Sequence, residues 1–176
     1  MRILGVDIGG TGIKAAVVKT QTGELISEHK RIPTPQPATP ENIAISLVQL
    51  VTELAWSGPI GCGFPATVHH GVAYSASNID PSWINTDAQT LFSQMTGQPC
   101  FVVNDADAAG MAEMRFGAGQ NNRGVTILLT IGTGIGSAVF VNGQLHPNTE
   151  LGHVRFGDSI AERYCAESVR IKQNLS

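Results

Sequence analysis

The sequence is poor in cysteine, in charge and in long apolar runs, and each shortage removes a class of protein. Its three cysteines, Cys62, Cys100 and Cys165, stand far apart, with no Cys-x-x-Cys pair and no histidine ladder beside them. That spacing supports neither a disulfide framework nor a zinc site. It fits reduced thiols, with Cys62 and Cys100 in or beside apolar runs as small buried residues. Charged residues make up 14% of the 176 positions and the net charge is −3, so no general field draws the protein to nucleic acid or an anionic membrane. No stretch approaches the roughly eighteen apolar residues of a membrane span, and the chain runs straight into the strand-like Ile3-Leu4-Gly5-Val6 without a basic-then-apolar leader. The expectation is a cytoplasmic protein with no nucleic-acid and no membrane partner. Two common phosphate signatures are also missing: no lysine follows a final glycine as in a Walker loop, and no G-x-G-x-x-G opens a helix.

What is present is a globular α/β pattern, with 42% hydrophobic residues, enough for one good core or two small lobes. Three strands are predicted first, Met1 to Asp7, Gly12 to Thr20 and Leu25 to Ile32, joined by the cluster Gly9-Gly10-Thr11-Gly12 and the turn Gln21-Thr22-Gly23. Four prolines between Pro33 and Pro40 predict an extended surface connection. A helix follows, with Thr39 to cap it, Pro40 at its first position and Ile43, Leu47, Leu50, Val51 and Leu54 at helical spacing. Pro59 to Phe64 reads as a strand, and Pro65 to Thr86 as a long loop of the kind that is more often functional than idle. A short helix over Asp87 to Thr96 and a buried strand over Cys100 to Val103 come next. Asn104 can cap a helix from Asp105 to Phe116, whose many small residues permit close packing on a neighbour. Gly117 to Gly124 is a polar break and the best candidate for a lobe boundary, giving lobes of 1–118 and 119–176. Beyond it lie a strand over Val125 to Ile131, a glycine turn, a returning strand over Ser137 to Val141, and a helix-like stretch from Asp158 to Lys172.

The chemistry is concentrated in two similar segments, Asp7-Ile8-Gly9-Gly10-Thr11-Gly12 and Thr130-Ile131-Gly132-Thr133-Gly134-Ile135-Gly136, each a strand, a glycine turn and a strand. Glycines in such a turn leave backbone N–H groups unobstructed, so the turn can form a nest around phosphate oxygens. Either turn alone is most simply a glycine-rich hairpin. Together, with Asp7 before the first and threonines inside both, they suit a phosphate chain and its metal ion. Asn104-Asp105 is good capping material in its own right. Glu150 and His153 lie three apart, so on one helical turn they would face the same way. His69 and His70 are adjacent, and on an extended segment would point to opposite sides, which favours a surface loop.

At this point a resemblance is plain. Asp7-Ile8-Gly9-Gly10-Thr11-Gly12-Ile13-Lys14 resembles the first phosphate motif of the actin-like sugar kinases, Asn104 to Gly110 the segment holding their catalytic aspartate, and Leu129 to Gly136 their second phosphate motif. Glu150-Leu151-Gly152-His153 is similar to the Glu-x-Gly-His sugar signature of the repressor, open-reading-frame and sugar-kinase (ROK) family. Arg31 to Glu41, with Asp105 to Gly119, resembles the family's polyphosphate-using glucokinase branch. The resemblance implies an α/β protein of the actin-like ATPase (ribonuclease H-like) fold, with its N-terminal lobe complete and its C-terminal lobe truncated, since family members continue well beyond this length. It implies phosphoryl transfer from polyphosphate or ATP to the 6-hydroxyl of glucose, with Mg²⁺ near Asp7. Asp105 would be the catalytic base. Asp7, Gly9, Gly10, Thr11, Gly12, Lys14, Thr130, Gly132, Thr133, Gly134 and Gly136 would hold the donor. Gly63, Phe64, Pro65, Asn78, Asn104, Asp105, Glu150, His153 and Glu162 would hold the sugar. Many family members carry a zinc cluster soon after the histidine; here Phe156 to Cys165 holds a single cysteine, and no zinc site is expected.

Two other readings stand beside the enzyme. Non-catalytic sugar regulators of the same family carry a DNA-reading segment ahead of the first glycine motif, which here begins within seven residues of Met1. An inactive remnant that keeps the motifs is the second, and a homodimer is open in either case.

Overall fold

A computed structural model of the chain describes residues 1–77, 79–132 and 134–174. The chain divides into two compact units, Met1–Asp105 and Ala106–Ser176. Gly117 to Gly124, read from the sequence as a lobe boundary, lies within the second.

In the first unit, β1 (Arg2–Ile8) and β2 (Gly12–Lys19) pair antiparallel along their whole length, from Arg2 opposite Lys19 to Ile8 opposite Ile13. Leu4, Val6 and Ile8 of β1 are buried, the period-two pattern of a strand with one face on a core. The third predicted strand is in fact two short ones on β2: β3 (Glu24–Leu25) against Val18 and Lys19, and β4 (Lys30–Pro33) against Gly12 to Ala15. Ser27 explains the break, because its hydroxyl accepts the Val17 N–H at 2.9 Å where a ladder carbonyl would otherwise serve.

Helix α1 (Pro40–Glu53) starts as its sequence predicts, the Thr39 side chain accepting the Asn42 N–H, and buries Ile43, Ala44, Leu47, Leu50 and Val51. Strand β5 (Ile60–Phe64) then lies parallel to β1. The stretch predicted as one long loop holds a small antiparallel sheet of β6 (Val68–His69), β7 (Val72–Ala73) and β8 (Thr86–Asp87), with a 3₁₀ turn over Pro81–Trp83. Trp83 anchors it. The residue is fully buried, its indole N–H donates to the Ala38 carbonyl at 2.8 Å, and its ring lies 4.5 Å from Phe64 and 5.7 Å from Phe92. His69 and His70 are exposed as expected, but their rings are 4.1 Å apart rather than on opposite sides, because His70 has φ +50° and the backbone there is turned, not extended. Helix α2 (Ala88–Thr96), capped by Asp87, and β9 (Cys100–Asn104), parallel to β5, complete the unit. Its main sheet runs β3-β2-β1-β5-β9, with β4 also on β2.

The second unit takes up α3 (Asp105–Phe116) from its second residue and adds an antiparallel sheet of β10 (Val125–Ile131), β11 (Ile135–Val141) and β12 (Gln144–His146). A Cβ on Gly110 would come within 2.6 Å of the Ala138 side chain and 2.8 Å of the Phe140 ring. The small residues of α3 therefore let it approach β11 at backbone distance. The continuous helix predicted from Asp158 to Lys172 is a hairpin of β13 (Arg155–Phe156) and β14 (Ser159–Ile160), then α4 (Glu162–Cys165) and α5 (Glu167–Gln173). The break between the two helices is Ala166, extended at ψ 151° and buried at 2% exposure. Among the described residues no helix is long and apolar enough to cross a membrane.

Candidate functional site

In the first unit, three predicted segments arrive at one edge of the sheet. Strands β1, β5 and β9 are parallel neighbours, with Asp7 opposite Gly63, Gly63 opposite Val103 and Phe64 opposite Asn104. Their carboxyl ends thus bring together the first glycine turn, Gly63 to Pro65, and Asn104-Asp105. This is the edge at which open α/β sheets bind ligands, because the strands stop there and the following turns offer free backbone groups.

The first glycine turn is braced from outside. The Gly9 N–H donates to the Gly12 carbonyl at 3.1 Å, and the Thr34 hydroxyl donates to the Gly9 carbonyl. The Thr34 N–H and the Arg31 guanidinium each donate to the Thr11 carbonyl at 3.4 Å. Gly10 and Thr11 are left exposed. Arg31 and Thr34 were not among the expected site residues. Their place follows from the β2–β4 register, which sets Arg31 opposite Lys14 and is not visible in a one-dimensional pattern.

Asp7 is exposed and pairs with Lys14, its cross-strand neighbour, Nζ to Oδ2 3.2 Å. An exposed single carboxylate fits Mg²⁺, which keeps several waters and takes one or two protein carboxylates alongside substrate phosphates. Asp7 is the residue that would hold it.

Asn104 is buried at 6% exposure, and its amide donates to the Ala66 carbonyl at 3.0 Å, tying the end of β9 to the residue after Pro65. Asp105 follows as the half-buried first residue of α3. Gly63 and Pro65 are partly exposed. Phe64 corrects an expectation: it is fully buried against Trp83 and Phe92, so its ring is core and is closed to a sugar. Asn78 lies outside the described residues.

In the second unit the second glycine turn joins β10 to β11, with Thr130 opposite Gly136. The Gly132 N–H donates to the Gly134 carbonyl at 2.9 Å, the Ser168 N–H donates to the Gly132 carbonyl at 3.3 Å, and the Ile135 N–H donates to Glu162 Oε2 at 3.2 Å. Gly132 is exposed; Gly134 and Gly136 are half-buried, and Thr133 lies outside the described residues.

Glu150 stands before a 3₁₀ turn, Leu151–His153. At three residues per turn, positions three apart eclipse one another, and His153 Nδ1 lies 3.7 Å from Glu150 Oε2. On its other side His153 Nε2 is 3.5 Å from Glu162 Oε1. The glycine of the signature is required by contact, since a Cβ on Gly152 would strike the Ile135 carbonyl. The turn therefore rests directly on the start of β11. Glu150, His153 and Glu162 form one cluster of partly exposed acceptors and an imidazole, a set that can take up neighbouring hydroxyls of a sugar. Glu162 also reaches the second glycine turn through Ile135, so one carboxylate touches both features.

The ROK family sequence model matches residues 3–173. The chain is 49% identical over 171 residues to a polyphosphate glucokinase of Mycobacterium tuberculosis, covering 97% of this chain and 64% of that protein. To a glucokinase of Streptomyces coelicolor it is 36% identical over 163 residues, covering 86% and 49%. Among solved structures, the inorganic polyphosphate/ATP-glucomannokinase of Arthrobacter sp. strain KM matches with a TM-score of 0.95 at 45% identity, over 99% of this chain and 72% of that one. A ROK family glucokinase of Streptomyces griseus, solved with glucose and AMPPNP, matches at 0.86 and 30% identity, over 98% and 59%. The chain thus spans between about half and two thirds of the length of these curated relatives.

Proposed function

Because the chain belongs to the ROK family, we propose that it serves the transfer of a phosphoryl group from polyphosphate, or from ATP, to the 6-hydroxyl of glucose, giving glucose 6-phosphate. The observation that carries this reading is the meeting of the Asp7–Gly12 turn and the Asn104-Asp105 pair at the carboxyl edge of β1, β5 and β9. An aspartate beside a phosphate nest is the arrangement that phosphoryl transfer to an alcohol needs.

Asp105 accepts the hydrogen bond of the sugar 6-hydroxyl, aims its oxygen in line with the terminal phosphorus and takes the proton as the new P–O bond forms and the bridging P–O bond breaks, the electron pair leaving on the shortened polyphosphate or ADP. Asn104, held by the Ala66 carbonyl, is the neighbouring residue expected to bind an adjacent hydroxyl of the sugar. In the second unit the Glu150, His153 and Glu162 cluster is suited to sugar hydroxyls, and in the first unit Gly63 and Pro65 are suited to the same class of ligand. In the first unit the exposed Gly10 and Thr11 offer backbone and hydroxyl groups to donor phosphates, with Lys14 and Arg31 to balance their charge; in the second, the glycine turn with Thr130 and Thr133 is the matching phosphate motif. Asp7 would hold Mg²⁺, which when bound supplies charge neutralisation on the phosphoryl oxygens. The name of the M. tuberculosis relative favours polyphosphate as donor.

The test is an assay of glucose 6-phosphate with each donor in turn. Product is expected with polyphosphate, and Asp105→Asn should lower kcat by about 10²-fold or more, the usual contribution of a general base. Folded protein that yields no product with either donor, or an Asp105→Asn variant as fast as the parent, would overturn the reading.

A further inference from the structure

Two polar side chains of the second unit are buried although neither belongs to the expected site: Asp107 at 2% exposure and Ser137 at 4%. A carboxylate taken out of water is unfavourable unless it is bonded, and an apolar residue in either place would serve packing better. Both point to one short segment. Asp107 Oδ2 accepts the Asn148 N–H at 2.8 Å. Asn148 has φ +58°, in the left-handed region that asparagine tolerates better than most residues. Ser137 Oγ accepts the Leu151 N–H at 2.9 Å and donates to the Thr149 carbonyl.

Backbone groups of residues 148, 149 and 151 are therefore held by two side chains from α3 and β11, and Glu150 lies inside the held stretch. The 3₁₀ turn closes with its own bonds, His153 N–H to the Glu150 carbonyl at 3.0 Å and Val154 N–H to the Leu151 carbonyl at 3.1 Å. What Asp107 and Ser137 add is where that turn sits on β11, and hence where the Glu150 carboxylate and the His153 ring point. Position matters at such a site, because a displacement of about 1 Å can lower turnover by roughly 10²-fold. Asp107 is also two residues along α3 from Asp105, so the helix that opens with the proposed base carries one of the two holds.

We propose that Asp107 and Ser137 are positioning residues for the sugar, clamping Asn148 to Leu151 so that Glu150 and His153 are presented to its hydroxyls. The inference rests on the sugar-kinase reading above. It goes beyond it in giving a selective task to two residues outside the expected site.

The test uses the full chain with Asp107→Leu, Asp107→Asn and Ser137→Ala. Glucose and polyphosphate affinities are measured by calorimetry, amide exchange at Asn148 and Leu151 by NMR, and stability by thermal unfolding. Asp107→Leu should weaken glucose binding about tenfold or more, the scale of a lost hydrogen bond to a charged group, speed exchange at Asn148 by a similar factor, and leave polyphosphate affinity unchanged. Asp107→Asn keeps an acceptor oxygen and should restore most of both losses, which a general loss of stability would not do. Ser137→Ala should speed exchange at Leu151 and weaken glucose several-fold, and it carries the test where Asp107→Leu does not fold. Unchanged glucose affinity in Asp107→Leu or Ser137→Ala, beside a parent that binds, overturns the inference. So does equal weakening of both ligands in Asp107→Leu with slow exchange retained at Asn148. A parent that binds no hexose overturns the sugar reading instead, and the exchange at Asn148 and Leu151 then decides by itself whether the clamp exists.

Discussion

The two units are built from the same strand, glycine turn and strand, yet they meet water in opposite ways. In the first, β1 turns Leu4, Val6 and Ile8 into a core closed by α1, α2 and the aromatic group Phe64, Trp83 and Phe92. In the second, alternate residues of β10, namely Val125, Ile127, Leu129 and Ile131, stand 54–67% exposed on a strand at the edge of its sheet. Order in the second unit comes more from polar holds: Asp107 and Ser137 on residues 148–151, Glu162 on Ile135, Ser168 on Gly132. The difference teaches that a glycine turn can be presented on two foundations. Hydrophobic burial stabilises the first, at about 25 cal/mol per Å² of apolar surface removed from water. Directional bonds place the second, where each contributes about 1 kcal/mol but fixes an atom's position.

The sharpest way to break this comparison is to make like truncations in both units. Phe64→Ala should destabilise by about 3–5 kcal/mol in denaturant titrations, the range for a buried aromatic. Leu129→Ala, on the open face, should change stability by less than about 1 kcal/mol. Equal losses would mean that the exposed face of β10 is covered in solution.

Thiol chemistry gives a second, smaller contrast. Burial pushes the Cys62 thiol far above its ordinary range, with a further push from Cys100, and burial raises Cys100 as well. Since the thiolate is the reactive form, exposed Cys165 should be alkylated at pH 8 roughly a hundredfold faster than either, as read by mass spectrometry of the labelled peptides. Equal labelling would show that the first core opens readily.

The smallest expected effect concerns pH. Burial raises the Asp107 carboxyl above its ordinary value, partly offset by the Asn148 N–H. A carboxyl that holds its proton longer when folded makes the folded state lose stability as pH rises from the ordinary carboxylate value through the raised one. As pH rises through that window the parent should therefore lose stability relative to Asp107→Asn, and the two curves of unfolding midpoint should run parallel below and above it. Parallel curves throughout would place the Asp107 carboxyl in an environment like water.

Much of the fold was legible in the residues because its signals are local. Glycine clusters marked both turns, Thr39 and Pro40 marked the start of α1, and the run Ile3-Leu4-Gly5-Val6 marked the first strand. The misreadings have local causes with distant consequences. One hydroxyl, Ser27, splits a predicted strand in two; one positive φ, at His70, brings two histidine rings together; and a tryptophan among turn residues proved to be the anchor of a small sheet. At the candidate site, Asp7, Asn104, Asp105, Glu150 and His153 were readable as motifs. Arg31, Thr34, Asp107 and Ser137 were not, because their importance lies only in what they touch.

What the sequence determined by itself is the set of segments able to turn, cap or alternate, since backbone freedom and side-chain shape act within a few residues. Only the tertiary structure decided that Asp107 meets Asn148 41 positions away and that Trp83 meets Ala38 45 positions away. Such contacts depend on strand register and helix packing, and these are settled by the burial of many side chains at once.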